Sequence, residues 1–184
     1  MLRDIVVARS TDGGKTFTPT VVSQDGWEIN GCPVVGPSMT INRRGSITIT
    51  WFVGGGGRPG LYYAVSRDQG RSFSPRRLFI AEQRLGKHSH GVSLADGRTL
   101  FAWDDAGENG QTITLWGTVE PGQGYSGTST GSAAGAQDGP TPKVIGSAAG
   151  VSYPVVAVSG EEALVVGLQP GKSDIFTRSF RLPK

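Results

Sequence analysis

The octapeptide Ser10-Thr11-Asp12-Gly13-Gly14-Lys15-Thr16-Phe17 returns as Ser66-Arg67-Asp68-Gln69-Gly70-Arg71-Ser72-Phe73, an offset of 56 residues between Ser10 and Ser66. The likeness runs on through Thr18-Pro19 and Ser74-Pro75. Self-similarity at this spacing marks a repeat protein, with a period that fits one propeller blade rather than a helical hairpin. Within each copy a short carboxylate, Asp12 or Asp68, is placed to accept bonds from nearby backbone N–H groups, and Gly14 or Gly70 supplies a cheap positive φ. Phe17 or Phe73 then opens the next strand with a ring that packs inward. Each copy therefore reads as a hairpin clamp. No His, Glu or Tyr lies inside either copy to partner the Asp in catalysis, so both acids read as turn formers.

Working outward, apolar runs bounded by Gly, Pro, Asn and Asp predict strands along the whole chain. Segments 5–10 and 17–22 flank the first octapeptide. A fuller unit follows at 38–41, 47–53, 61–66 and 73–80, with the second octapeptide in its last hairpin. The next unit is predicted at 91–94, 98–103 and 112–119, with an Asp96-Gly97 hairpin signal and a short closing strand near 143–145. A final unit is predicted at 155–158, 163–168 and 174–180. Trp51 and Trp103 fall at matching positions in successive units. The reading is one all-β domain over 1–184, with blade pieces at about 3–23, 36–80, 90–145 and 153–182 and a Gly/Ser-rich loop over about 121–142. Roughly three blades fall short of the four to eight of a closed propeller, so the expectation is a partial propeller. Missing N-terminal blades or self-association would then close it.

Composition agrees. The 184 residues include 29 Gly and 11 Pro with 36% hydrophobic residues, as suits strands joined by many tight turns. A single cysteine, Cys32, excludes an intramolecular disulfide framework. The net charge of +3 is spread over turns without a basic run, which speaks against nucleic acid as a partner. No stretch approaches the ~20 apolar residues of a membrane span, and residues 1–7 lack the pattern of a signal peptide.

The two octapeptides resemble the Asp-box, or bacterial neuraminidase repeat, of the sialidase-like superfamily. The conserved-type positions of the box are Ser10, Asp12, Gly14 and Phe17 in the first copy and Ser66, Asp68, Gly70 and Phe73 in the second. Gly31-Cys32-Pro33-Val34-Val35-Gly36-Pro37, Trp51-Phe52 and Tyr153-Pro154-Val155-Val156 resemble uncharacterised bacterial members of that superfamily. The resemblance implies a six-bladed propeller, present here in part, with ligands met on the face opposite the boxes. It also implies export to an extracytoplasmic compartment.

On that face fall the blade-joining segments 24–36, 81–90 and 146–153 and the within-blade loops 54–60, 104–111 and 169–173. The ligand-face candidates are Trp27, Glu28, Asn30, His88, His90 and Asn109, and the candidates for chemistry are Arg58, Asp104, Asp105 and Glu108. Sialidases use three arginines for the substrate carboxylate, for which the planar guanidinium fork is suited. Here Arg58 is the clearest ligand-face arginine and Arg84 a weaker second, while Arg43 and Arg44 lie in a turn on the other face and Arg76 and Arg77 in an outer strand. Phe180-Arg181-Leu182-Pro183 resembles the F-R-I-P motif of sialidases, but it follows both boxes instead of preceding them, so the motif's role does not carry over to Arg181.

His88 and His90, two apart on a strand, would share a face, and with Cys32 they form the only metal-site reading the sequence offers. Polar loop histidines are the plainer reading, and neither metal nor cofactor is expected. The run Gly54 to Gly57 lacks the Gly-Lys-Ser/Thr signature of a phosphate loop and reads as a flexible ligand-face loop. The leading expectation is a binding module for glycan or protein without complete catalytic machinery. The alternative is the C-terminal half of an exo-α-sialidase-type glycoside hydrolase, whose other blades supply the missing residues.

Overall fold

The computed structural model describes residues 1–32, 35–55, 58–79, 86–106, 111–119, 137–138 (backbone only), 142–169, 171 and 174–183. The described residues form strands and turns without helix, arranged as four sheets in chain order. The first is the antiparallel hairpin of β1 (Leu2–Arg9) and β2 (Thr18–Glu28). The second contains β3 (Ser38–Ile41), β4 (Ile47–Val53), β5 (Gly60–Ser66) and the short β6 (Arg77–Leu78). The third is built on β7 (Lys87–Ser93), β8 (Thr99–Ala106) and β9 (Thr112–Val119). Strand β10 (Gln137–Asp138) returns to pair in parallel with β6, and β11 (Lys143–Ala149) completes the third sheet beside β9. The fourth sheet is the meander β12 (Ser152–Ser159), β13 (Glu162–Gln169) and β14 (Asp174–Arg181). No sheet closes on itself among the described residues.

Both octapeptides fold into the same hydrogen-bonded turn. Ser10 Oγ donates to Asp12 Oδ1 at 2.8 Å and accepts Gly14 N at 2.8 Å, while Asp12 accepts the N–H groups of Lys15 and Thr16 at 3.0 Å and the Thr16 hydroxyl at 2.6 Å. Ser66, Asp68, Gly70, Arg71 and Ser72 repeat each of these bonds. Gly14 and Gly70 take φ of +86° and +81°, the left-handed region in which a Cβ is strained. With its hydroxyl and backbone donors converging on it, each Asp carboxyl is stabilised in its charged form.

The sheets stack face to face with an apolar core in each gap. Trp51, Ile49, Val53 and Tyr62 of the second sheet meet Val22, Ile5 and Val7 of the first. Leu61, Tyr63 and Phe79 meet Phe101, Trp103 and Leu115 across the next gap, and Leu100, Ala102 and Trp116 meet Val156, Ala163 and Val165 across the last. Each large side chain so buried contributes about 1.5–3 kcal/mol. Matching positions carry matching duties: Trp51 and Trp103 each face the preceding sheet. Strands of the two middle sheets are buried on both faces and read as near-continuous apolar runs, whereas β1 and β13 alternate because one of their faces is open.

Several expected boundaries move. Segment 73–80 forms only the two-residue β6, since Ser74 is held by a side-chain bond to Val65 and Pro75 has no N–H to give a ladder. Strand β2 runs on to Glu28 through what reads as a loop, because Leu2 and Arg3 continue the pairing with Glu28 and Trp27, with register shifts at Ile5. Strand β11 likewise extends to Ala149, past the expected 145.

Candidate functional site

The turns that carry the octapeptides lie at one end of the sheets. The opposite end collects the lead-ins to β7 and β12 and the ends of β4 and β8, as the registers Ile47 to Ser66 and Val53 to Gly60 require. At this second end a row of side chains crosses all four sheets. Trp27 of β2 meets Phe52 of β4 edge to face at 5.8 Å, and Lys87 of β7 holds its ammonium 5.5 Å from the Phe52 ring. Lys87 is paired in register with Asp104 of β8, which touches His88 and, in the fourth sheet, Tyr153.

The His88, Asp104 and Tyr153 cluster is made by two irregularities. Between Lys87 and His90 strand β7 holds one residue more than β8 does between Asp104 and Ala102, a bulge that puts His88 at φ +39°. A second shift between Ser152 and Val155 puts Tyr153 at φ +52°. Non-glycine residues in this region are strained and persist only where their surroundings hold them. The strain here delivers geometry. His88 Nδ1 lies 2.7 Å from Asp104 Oδ2, the same oxygen accepts Tyr153 N–H at 3.1 Å, and the imidazole and phenol rings stand 4.0 Å apart at 37°. Asp104 is only 4% exposed, and Tyr153 is 49% exposed. With Nδ1–H donating to the carboxylate, neutral His88 keeps an acceptor lone pair on Nε2. That atom is buried and has no hydrogen-bond partner among the described residues. A buried polar group left so costs about 1–3 kcal/mol.

His90 serves differently. Its Nδ1 accepts Val156 N–H at 3.3 Å, tying β7 to β12, and burial pushes its pKa down by disfavouring the charged ring. Between the histidines, Ser89 hydroxyl meets Thr50 hydroxyl at 2.8 Å inside the gap to the second sheet. The bulge thus breaks the simple alternation that would have aimed both imidazoles at one metal. Cys32 is exposed, and among the described residues no group of three His, Cys, Asp or Glu is placed to hold a metal ion.

Of the other expected site residues, Asp105 is buried at the end of β8, where its carboxylate accepts Ala106 N–H at 2.8 Å. Arg58 is half-buried, and its carbonyl accepts the Tyr62 hydroxyl. Glu28 and Asn30 are exposed beside Trp27. Glu108, Asn109 and Arg84 lie outside the described residues, as do Gly56 and Gly57. The first half of the glycine run is packed against protein: a Cβ at Gly54 or Gly55 would stand 2.9 Å from the Trp27 indole.

Sequence reasoning placed Arg76 in an outer strand, yet its guanidinium reaches across to the buried Asp25 and lies 4.7 Å over the Tyr62 ring. Asp25, Lys87, Tyr153 and Arg3, whose guanidinium donates to Gly31 O at 2.7 Å, were not singled out as site residues. No periodicity marks a buried Asp or a tyrosine at a bulge, so only their three-dimensional neighbours reveal them. Arg181 is exposed and bonded to Glu161 at 2.9 Å.

No family model matches the sequence, and no curated protein matches it. Solved structures do match. A Hadza microbial sialidase superposes with a TM-score of 0.70 at 19% identity, over 97% of this chain and 38% of the sialidase. The Trypanosoma rangeli sialidase in complex with sialic acid gives 0.60 at 14%, over 96% of this chain and 31% of its own. A protein of unknown function from Dyadobacter fermentans gives 0.55 at 15%, over 96% and 45%. The chain thus spans less than half the length of each of these structures, and the fold it shares with them is sialidase-like.

Proposed function

We propose that this chain is part of a sialidase-like β-propeller, its four sheets being two fuller blades and two partial ones, and that it binds glycan through the end carrying His88, Asp104 and Tyr153. In this reading the octapeptides are Asp-boxes that clamp hairpins at the far end. The observation that carries the proposal is the His88, Asp104 and Tyr153 cluster, where a half-exposed aromatic ring adjoins hydrogen-bonding groups. Sugar rings are bound by such pairings of an apolar face with a few placed polar groups. Propeller relatives of the sialidase kind favour an extracytoplasmic setting for it.

The module is non-catalytic by this chain alone. Arg76 is engaged by Asp25 and Arg181 by Glu161, leaving Arg3 and Arg58 as the described arginines near the site. The test pairs binding with turnover. Isothermal titration with sialylated and neutral oligosaccharides is expected to give binding that Tyr153→Ala removes, while a fluorogenic sialoside is released no faster than in buffer. Release that Asp104→Asn abolishes would overturn the non-catalytic reading and favour the second one, an exo-sialidase-type hydrolase completed by further blades. That second reading draws on the share of the sialidase structures spanned here, 38% and 31%.

A further inference from the structure

Resting on the glycan-binding reading, we infer that Tyr153 is a movable cover over an occluded hydrogen-bond acceptor, His88 Nε2, and that a saccharide hydroxyl takes that acceptor when the phenol swings aside. The inference joins four features of one cluster. His88 Nε2 is a buried acceptor with no partner among the described residues. The Tyr153 ring lies against the imidazole at 4.0 Å, while nearly half of Tyr153 remains open to solvent. Both residues hold positive φ, 39° and 52°, in bulged lead-ins rather than in regular ladder. Finally, the Asp104 carboxylate, 4% exposed, is bonded to His88 Nδ1 and to the Tyr153 backbone N–H, so the anchor stays when the side chain rotates.

The chemistry selects the ligand. Asp104 holds the Nδ1–H tautomer, so Nε2 of neutral His88 can only accept, and a ligand must offer a donor. A displaced phenol gives a mobile flat ring beside that acceptor, which fits a pyranose presenting C–H groups on one face and a hydroxyl at its edge. No bond is made or broken. Asp104 acts here as a positioning residue and His88 as the contact.

Diethyl pyrocarbonate, which acylates an accessible unprotonated imidazole nitrogen, reads the cover directly, and the chain has only two histidines to resolve by peptide mass spectrometry. In Tyr153→Ala the His88 rate is expected to rise about tenfold or more over the unmodified chain, and in Tyr153→Phe to stay within about twofold, at unchanged circular dichroism. Equal rates in Tyr153→Ala and the unmodified chain overturn the cover. Long-range ¹⁵N spectra then read the acceptor: methyl β-D-galactopyranoside or N-acetylneuraminic acid is expected to shift His88 Nε2, with no shift in Asp104→Asn, where the tautomer is no longer held. If the cover is seen but neither sugar moves Nε2, the saccharide assignment fails, and the cover alone stands.

Discussion

The Asp25 carboxylate accepts the indole N–H of Trp51 at 2.8 Å, joining the second strand to the centre of the first inter-sheet core. The same carboxylate accepts the Ser23 hydroxyl at 2.6 Å and the Arg76 guanidinium, and Asp25 is 5% exposed. Its removal strands three donors in a dry gap.

Asp25→Ala is therefore expected to lower unfolding stability by about 3 kcal/mol, the lower part of the range for breaking a buried pair, because Arg76 keeps partial access to water. Urea denaturation measures it. The double variant with Arg76→Ala is expected to lose less than the sum of the single losses, since the two share one interaction. A loss under about 0.5 kcal/mol for Asp25→Ala would show that the network adds nothing.

Acid should loosen the octapeptide turns before it affects the cores. The Thr16 hydroxyl and backbone N–H, then the Ser10 hydroxyl, hold the Asp12 carboxyl down to about 2 from the usual 3.8. Asp68 is lowered likewise, first by the Ser72 hydroxyl. A depressed carboxyl stabilises the fold above its unfolded pKa, and that contribution is lost as pH falls through the folded value. Thermal midpoints scanned from neutral pH to about pH 2 are expected to fall below about pH 4, and less so in Asp12→Asn with Asp68→Asn. An unchanged profile in that variant would sink the assignment.

His90 adds a separate step nearer neutrality. Its pKa is lowered by burial, so the folded state resists the proton that the unfolded chain takes up, and stability is lost as pH drops below the ordinary histidine value of 6.5. His90→Gln is expected to flatten this part of the thermal profile. A slope that persists in the variant would place its source elsewhere.

Close approach of backbone and ring makes Gly91 irreplaceable by ordinary standards. A Cβ there would stand 2.5 Å from Phe101 Cε1 and 2.7 Å from Thr40 Oγ1. Gly91→Ala is expected to cost about 1–3 kcal/mol by overpacking. Gly36→Ala, with nothing within 4 Å of its Cβ, serves as control and should stay within about 0.5 kcal/mol. Equal unfolding midpoints for the two variants would contradict the packing described between β7 and its neighbours.

The gap between the second and third sheets turns on Phe79, whose ring meets Tyr63, Phe101 and Trp103 at centroid distances of 4.9 to 6.1 Å. Phe79→Ala is expected to cost about 3–5 kcal/mol, through lost burial and the cavity left behind. Chemical denaturation checks this. A loss below about 1 kcal/mol would mean that the neighbouring rings collapse into the space.

Much of the architecture was legible because its causes are local. Strand segments at 47–53, 61–66, 112–119, 163–168 and 174–180 lie within a residue or two of their observed limits, since alternation and turn residues act over short distances. The errors fall where pairing overrides that signal: β2 extends because Leu2 and Arg3 offer it partners, and β6 shrinks beside Pro75. At the site, His88 and Asp104 could be picked from loop position, but their contact could not, and Tyr153 was only part of an apolar segment.

The two octapeptides needed no tertiary context: their Ser, Asp and Gly bond to backbone within four residues, so composition and order suffice to specify the turn. The site has the opposite character. His88 meets Asp104 from 16 residues away, and Asp104 meets Tyr153 from 49 away, through two bulges whose positive φ no pattern announces. Such contacts exist only once stacked sheets bring separate strand ends together and the surrounding packing holds the strained backbone in place.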